Sequence, residues 1–241
     1  MSWPSWLPLR ENLRPLSPYG APQVPAQASL NTNENPYSPS PALQKAITES
    51  VAKVAAELNR YPDRDATVLR TKLADYINEL SGTKFSADNI WAANGSNEII
   101  QSIFLAFAQV SVLGFTPSYS MHPLIAKVTG GQWIDGKRNA DFSLNTSDAI
   151  TEIQKTKPTL TFITTPNNPT GGAVTIDEIQ KLADACKSVG GLLVVDEAYA
   201  EFSQEKSAVT LIANNPHVIV IRTMSKAFAF AGARVGYLVS D

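Results

Sequence analysis

From residue 90 onward, apolar segments alternate with segments of helical spacing, and this alternation limits the possible folds more than any other feature of the sequence. Strands are predicted at 90–94, 110–115, 159–165, 191–199, 218–223 and 235–240. Helices are predicted at 96–107, at 118–128 with an interruption or a fresh start at Pro123, and from Thr175 to about Ser188. Strands this apolar, separated by helices, predict an α/β fold whose mainly parallel sheet is covered by helices on both faces.

The first 41 residues are rich in proline and predict an extended arm rather than a packed domain. Such an arm wraps its own body or a partner subunit, or is a disordered leader, and composition leaves these alternatives open. Ser40 and Pro41 predict the start of a helix, because serine caps helices and proline is tolerated in the first turn. A second helix is predicted over 66–80, ending before Gly82.

Composition excludes several classes of partner. The formal net charge of −2 does not indicate a nucleic acid or an anionic membrane. A single cysteine, Cys186, suits a reducing compartment. The start of the chain lacks a signal-peptide pattern, and the most apolar stretch, 99–115, contains two glutamines and falls short of a membrane span. These features predict a soluble, cytoplasmic protein.

Polar and aromatic residues follow five of the predicted strands, where ligands of open α/β sheets bind. These segments are Asn94–Asn97, Thr116–Tyr119, Pro166–Gly171, Asp196–Tyr199 and Thr223–Lys226. We expect them to surround one bound molecule, because the carboxyl ends of parallel strands meet at the same edge of a sheet.

Lys226 lies among small and apolar residues in TMSKAFAFAGARVGY (223–237), and the next charge is Arg234. Burial disfavours the ammonium form and lowers the pKa, which makes an amine nucleophile that can form a Schiff base. The alternative is a surface lysine whose stem lies along apolar neighbours, and this segment by itself favours that alternative.

Two further segments have both an ordinary and a ligand-binding interpretation. Gly95, Ser96 and Asn97 open a helix and could hold a phosphate, although an ordinary serine cap has the same pattern. Asp196 ends an apolar strand and needs a partner, which could be a protonated pyridine nitrogen, a helix end or a salt bridge with Arg222.

Other side chains extend this interpretation. Tyr119 could stack on an aromatic ring or be a core tyrosine. Tyr199 and Asn168 could hydrogen-bond one phenolic oxygen, although 167–171 also has the composition of a turn. Arg234 could pair with a phosphate. Together, these groups describe a phosphorylated pyridine aldehyde held as a Schiff base, which is pyridoxal 5′-phosphate (PLP).

Several motifs carry a resemblance to a known family. NNPTG, DEAY and SKAF followed by GARVGY, in this order, resemble class I/II aminotransferases of PLP-dependent fold type I. NENPY, RYPD, NGSNE and FTPSYSMHP resemble the histidinol-phosphate aminotransferase branch. The resemblance implies a seven-stranded sheet, an N-terminal arm (1–41), a helical segment (42–64) belonging to a small domain, and a large PLP-binding domain (65–241). It also implies a homodimer.

The resemblance implies roles for individual residues. Lys226 would form the Schiff base and move the substrate proton, Asp196 would face the pyridine nitrogen, and Asn168 and Tyr199 would hold the 3′ oxygen. Tyr119 would stack on the ring. The remaining cofactor residues would be Gly95, Ser96, Asn97, Thr223, Ser225, Arg234 and, from the second subunit, Tyr61. Tyr19 and Asn33 would lie near the substrate.

The implied reaction is transamination of L-histidinol phosphate with 2-oxoglutarate, giving imidazole-acetol phosphate and glutamate in histidine biosynthesis. The alternatives are a related aromatic aminotransferase, a threonine-phosphate decarboxylase, or a truncated PLP-binding remnant without activity. Family members continue into a C-terminal small domain, and the resemblance implies that this domain is absent here. The resemblance therefore leaves open whether this chain turns over substrate. No metal site is expected, because His122, His217 and Cys186 stand alone without ligand spacing.

Overall fold

The structure is a computed structural model that describes residues 3–17, 20, 22, 24–25, 27, 29–107 and 111–241. Its strands are β1 (Ile90–Ala93), β2 (Ser111–Thr116), β3 (Gln132–Lys137), β4 (Leu160–Thr164), β5 (Leu192–Asp196), β6 (Val218–Thr223) and β7 (Gly236–Val239). They form one seven-stranded sheet in the order β1-β7-β6-β5-β4-β2-β3. Neighbouring strands are parallel except at β7, which is antiparallel to β1 and β6. The predicted mainly parallel sheet is confirmed.

Six α-helices lie in the described ranges: α1 (Pro41–Ala55), α2 (Thr67–Ser81), α3 (Ser96–Phe107), α4 (Met121–Thr129), α5 (Thr146–Thr156) and α6 (Ile176–Ser188). Their predicted ends are set by local chemistry. The Ser40 side chain accepts a hydrogen bond from the Leu43 backbone at the start of α1, and Thr175 and Glu178 form a capping box on α6. Gly82 ends α2 in the left-handed region, with φ of 65°.

Helices cover both faces of the sheet, as the apolar strands predict. On one face, Ile163 and Val195 belong to a core that includes residues of α2, α5 and α6. On the other face, their neighbours Phe162 and Val194 belong to a core that includes residues of α3 and α4. Because successive residues of a strand point to opposite faces, the central strands bury apolar side chains on both faces.

One strand and one α-helix escape the sequence analysis, and two boundaries differ by three residues from those expected. β3 lies at the edge of the sheet and is largely unburied, so its sequence QWIDGK lacks the apolar run of a central strand. α5 buries only Ala149 and Ile153. α4 begins at Met121 rather than at 118, which places Pro123 in its first turn, where proline is tolerated. β5 ends at Asp196 rather than at 199.

The described parts of the arm contact the rest of the chain. The Arg10 guanidinium donates to the carbonyl of Val128, and Asn12 Nδ2 donates to the carbonyl of Lys127 at 3.4 Å. Further along, Asn35 Nδ2 donates to the carbonyl of Ala227 at 3.4 Å. The arm therefore reaches the loop after β6, whereas α1, which follows it, has no buried residue.

Candidate active site

A cavity of about 870 Å³ lies at the carboxyl ends of the parallel strands. All five segments that follow the strands contribute to its lining, as do arm residues 31–34. The predicted site residues that line it are Asn33, Ser96, Asn97, Tyr119, Asn168, Asp196, Tyr199, Thr223, Ser225, Lys226 and Arg234. Gly95 does not line the cavity but adjoins Ser96 and Arg234, which do. Tyr61 is fully exposed and does not line the cavity, and Tyr19 falls outside the described residues.

Lys226 is half-buried in the loop after β6, and its amine lies against the arm. Its Nζ donates to the carbonyl of Thr32 at 2.7 Å and lies 5.9 Å from the centre of the Tyr199 ring. Burial lowers the pKa of the Lys226 amine; the nearby Glu34 carboxylate opposes this shift and the Arg234 guanidinium adds to it. The main cause of the lowered pKa is loss of solvation.

Asp196, at the end of β5, is 2% exposed and is paired with His122. Its Oδ2 lies 2.9 Å from His122 Nε2, and its Oδ1 accepts a hydrogen bond from the Ala198 backbone at 3.1 Å. The alternative interpretation, a salt bridge between Asp196 and Arg222, is wrong, because Arg222 binds Glu197 and Glu201 instead. A buried carboxylate that also lines a cavity is held in one orientation towards whatever the cavity binds.

Sequence reasoning treats His122 as an isolated histidine and misses this contact. The pair joins the first turn of α4 to the end of β5, and 74 positions separate the two residues. One signal is present in the sequence: MHPLIAKV places a histidine in a mostly apolar helix that begins five residues after a strand ends. Its partner, however, follows only from the packing of α4 over the sheet.

Two amides meet at the phenol of Tyr199. Asn33 Nδ2 donates to the Tyr199 hydroxyl oxygen at 3.0 Å, and Asn168 Nδ2 donates to the same oxygen at 3.4 Å. Asn168 comes from the loop after β4, whereas Asn33 comes from the arm, so this contact closes the cavity from two sides. The arrangement presents several polar hydrogen-bonding groups at one point of the cavity wall.

Tyr119 is held in place by contacts on two elements. Its hydroxyl donates to Asn97 Oδ1 at 3.2 Å, which connects the loop after β2 to the first turn of α3. Its ring packs edge-on against the His122 ring, with the centroids 5.4 Å apart. The ring of Tyr119 therefore lies beside the His122–Asp196 pair and lines the same cavity.

The turn between β1 and α3, with the facing Arg234, forms a cradle suited to an anion. Gly95 has φ of 87°, and a Cβ at this position would lie closer than 3.0 Å to the Arg234 guanidinium. Ser96 begins α3, whose first backbone N–H groups have no intrahelical partner. The Ser225 hydroxyl lies 3.0 Å from Thr223 Oγ1 and 3.5 Å from Arg234 Nη1. Backbone donors, hydroxyls and a guanidinium thus meet at one end of the cavity.

Two other features, a metal site and a membrane-crossing helix, are absent from the part of the chain that the structure describes. That part contains no group of three or more His, Cys, Asp or Glu side chains placed to hold a metal ion. It also contains no helix with the length and apolar character that crossing a membrane requires.

The fold and the cavity at its carboxyl edge define a class of protein: an α/β protein of the PLP-dependent aminotransferase fold, type I. The aspartate aminotransferase from Thermus thermophilus with maleate shares this fold, with a TM-score of 0.76 over 88% of this chain and 56% of that one, at 20% identity. The chain belongs to the family described as aminotransferase class I and II, whose sequence profile matches residues 25–241.

More similar proteins carry a specific name. The histidinol-phosphate aminotransferase of Mycobacterium sp. (strain KMS) is 52% identical over 237 residues, which cover 97% of this chain and 62% of that protein. The structure of histidinol-phosphate aminotransferase from Sinorhizobium meliloti in complex with pyridoxal-5′-phosphate has a TM-score of 0.72 at 25% identity, covering 86% of this chain and 55% of that one. The chain therefore spans about 62% of the length of the curated relatives that it matches.

Proposed function

We propose that this chain binds PLP in the cavity and is the cofactor-binding part of a histidinol-phosphate aminotransferase. The observation that carries the proposal is that a lysine of lowered pKa and a buried, histidine-paired aspartate line one cavity together with an anion cradle. The identity of 52% to a histidinol-phosphate aminotransferase supports the particular substrate.

The residues present fit the cofactor. A cradle that a Cβ at Gly95 would obstruct suits the phosphate, with Ser96, Ser225 and Arg234 as its donors. Asp196 is assigned to the pyridine nitrogen, because a buried carboxylate stabilises a cation beside it. The 3′ oxygen is assigned to Asn168 and Tyr199, and the ring to the face of Tyr119. Asn97 and Thr223 complete the proposed lining.

PLP, when bound, withdraws electrons from the carbon that bears the amino group of the substrate. The chain's own residues supply positioning and proton transfer. Lys226 Nζ, once neutral, can accept the proton from that carbon and return it, and its lowered pKa increases the neutral fraction. Asp196 keeps its orientation through His122, and the arm residue Asn33 limits the access of water by closing on Tyr199.

The proposed reaction converts L-histidinol phosphate and 2-oxoglutarate into imidazole-acetol phosphate and glutamate, in the cytoplasm. Asn33 and Tyr19 are assigned to the substrate side of the cavity. We assign 1–41 to an arm, 42–64 to a small-domain segment and 65–241 to the large domain. The proposed assembly is a homodimer in which Tyr61 reaches the phosphate of the other subunit.

Borohydride reduction of the PLP-loaded chain tests the cofactor site. We expect a visible absorbance band before reduction and a cofactor bound covalently to the Lys226 peptide afterwards. Lys226→Ala should abolish this attachment, while the matched control Lys72→Ala, an exposed lysine on α2, should retain it. Cofactor attached at one defined site in Lys226→Ala would refute the assignment.

Single-turnover assays with amine donors separate the proposed reaction from its alternatives. Histidinol phosphate should convert the bound cofactor to its amine form faster than aromatic amino acids do. Release of CO₂ from threonine phosphate would instead identify a decarboxylase. Cofactor binding without any half-reaction would leave the chain as a PLP-binding piece, in agreement with its span of 62% of a full-length relative.

A further inference from the structure

A second polar cluster lies behind the cavity without lining it, and we call it the Arg222 cluster. Its members are Arg222, Glu197, Glu201, Ser207 and Tyr76. Arg222 Nη2 lies 2.9 Å from Glu197 Oε2 and 3.0 Å from the Ser207 hydroxyl, and Arg222 Nη1 lies 2.8 Å from Glu201 Oε1. The Arg222 side chain is 4% exposed and that of Glu197 is 3% exposed. Both charges are therefore removed from solvent.

The cluster joins the two loops that carry the proposed acid and the proposed lysine. Glu197 follows Asp196 directly in the loop after β5, and Arg222 is the penultimate residue of β6, four positions before Lys226. β5 and β6 are neighbours in the sheet, with Asp196 opposite Ile221. The ion pair therefore connects the two strand ends immediately beneath the cavity.

Tyr76 of α2 extends the connection to the far side of the lysine loop. Its hydroxyl donates to Glu201 Oε1 at 3.3 Å. Its ring packs edge-on against Phe228, two residues after Lys226, with the centroids 5.4 Å apart. The lysine loop is thus held on both sides of Lys226 by members of one cluster.

Stability alone does not account for this cluster. Glu197 is fully paired, since its Oε1 accepts from the Ala208 backbone at 2.7 Å and its Oε2 from the Ser207 hydroxyl at 2.7 Å. Arg222 Nε and Glu201 Oε2, by contrast, are buried and make no hydrogen bond within the described residues. Unpaired buried groups are unfavourable, and buried ion pairs can often be replaced by apolar residues without loss of stability.

We propose that the Arg222 cluster is a positioning device that sets the placement of Lys226 relative to Asp196. The proposal rests on the proposed PLP site, because positioning matters only if both residues act on one ligand. A planar guanidinium that binds two carboxylates in fixed directions suits this role better than a flexible ammonium does.

The test uses a double variant, Glu197→Leu with Arg222→Met, which removes the charges while keeping apolar volume. Its urea midpoint should exceed that of Arg222→Met alone, because the buried charges of Glu197 and Arg222 are removed together and only Glu201, whose side chain is 15% exposed, loses its guanidinium partner. Its dissociation constant for PLP, followed by visible absorbance, should rise at least about tenfold. Arg70→Met is the control. Arg70 is partly buried, does not line the cavity and donates to the Ala87 carbonyl at 2.6 Å, so its replacement should lower stability and leave PLP affinity unchanged.

A second readout needs no cofactor. The pH dependence of acetic anhydride labelling, followed by mass spectrometry of the Lys226 peptide, reports how that amine titrates. In the double variant this titration should move towards higher pH, because a loosened loop exposes the amine while Glu34 and Arg234 keep their charges. If the unaltered chain does not bind PLP, the proposed function fails, and this titration still decides the positioning claim.

Arg222→Lys covers the case in which the double variant does not fold. It retains a charge but cannot bind both carboxylates in fixed directions, so we expect PLP affinity to fall about threefold or more and the Lys226 titration to shift in the same direction. PLP affinity and Lys226 titration equal to those of the unaltered chain, in either folded variant, would overturn the proposal.

Discussion

The charge of Lys226 is expected to oppose folding in the cofactor-free chain. Burial lowers its pKa below the ordinary value of 10.5, so the unfolded chain binds more protons than the folded one between the two pKa values. The free energy of unfolding should therefore rise with pH in that window. Below the lowered pKa the unfavourable contribution is fully present, and above about 10.5 it is gone.

Lys226→Met tests this contribution. The variant's advantage in unfolding free energy, relative to the unaltered chain, should be largest near neutral pH and should shrink as the pH approaches 10.5. The lost hydrogen bond to the Thr32 carbonyl offsets part of the gain, and the pH-dependent part isolates the ionisation. Urea denaturation at several pH values measures it. Lys72→Met, at an exposed position, is the control, and an equally flat difference for both variants would contradict the expectation.

At the scale of elements, β7 passes directly beneath the turn between β1 and α3. A Cβ at Gly236 would lie closer than 3.0 Å to the Ser96 backbone nitrogen and to backbone atoms of Gly95. The turn can therefore lie where it does only because β7 begins with a glycine. The antiparallel insertion of β7 between β1 and β6 thus positions the proposed phosphate cradle.

Gly236→Ala should displace this turn. We expect a loss of about 1–3 kcal/mol in unfolding free energy, together with weaker PLP binding, because backbone atoms cannot move aside as a flexible side chain can. Urea denaturation and absorbance titration measure the two effects. Gly172→Ala, where the nearest neighbour of a Cβ would be Thr170 Oγ1 at 3.9 Å, should change neither by much. Equal behaviour of the two variants would show that the turn does not depend on Gly236.

At the scale of the whole molecule, the exposed surface of the segment around α1 is consistent with the proposed homodimer. α1 has no buried residue, and Val51, Val54 and Leu58 on and after it are exposed. Tyr61 is also fully exposed and does not line the cavity of its own chain. Its proposed contact with a phosphate therefore requires a second subunit.

Tyr61→Phe tests this arrangement. Analytical ultracentrifugation should find that both the unaltered chain and the variant form a dimer. At chain concentrations where the dimer forms, the variant should bind PLP a few-fold more weakly than the unaltered chain, because it lacks the hydroxyl donor. At concentrations where the chain is monomeric, the two affinities should be equal. Tyr37→Phe, at another exposed tyrosine, is the matched control. An unaltered PLP affinity for the dimeric Tyr61→Phe chain would remove Tyr61 from the proposed site.

Local chemistry made much of the fold predictable. The central strands carry apolar residues on both faces because both faces are covered. Ser40 and Thr175 begin their helices, and Gly82 ends its helix, through contacts within a few residues. β3 and α5 were not predictable in this way, because an edge strand and a weakly buried helix lack a strong apolar pattern. The convergence of five segments on one cavity follows from parallel strand direction, which the alternation of strands and helices already predicts.

By itself, the sequence determined which side chains follow the strands, and hence that an apolar-flanked lysine, a buried aspartate and a glycine-serine turn would share one edge of the sheet. Only the tertiary structure decided their partners: His122 for Asp196, Glu197 and Glu201 for Arg222, and the arm carbonyl of Thr32 for Lys226. The physical reason is that a strand pattern specifies direction and burial, whereas a side-chain contact between residues 74 or 194 positions apart depends on how helices and arm pack across the sheet.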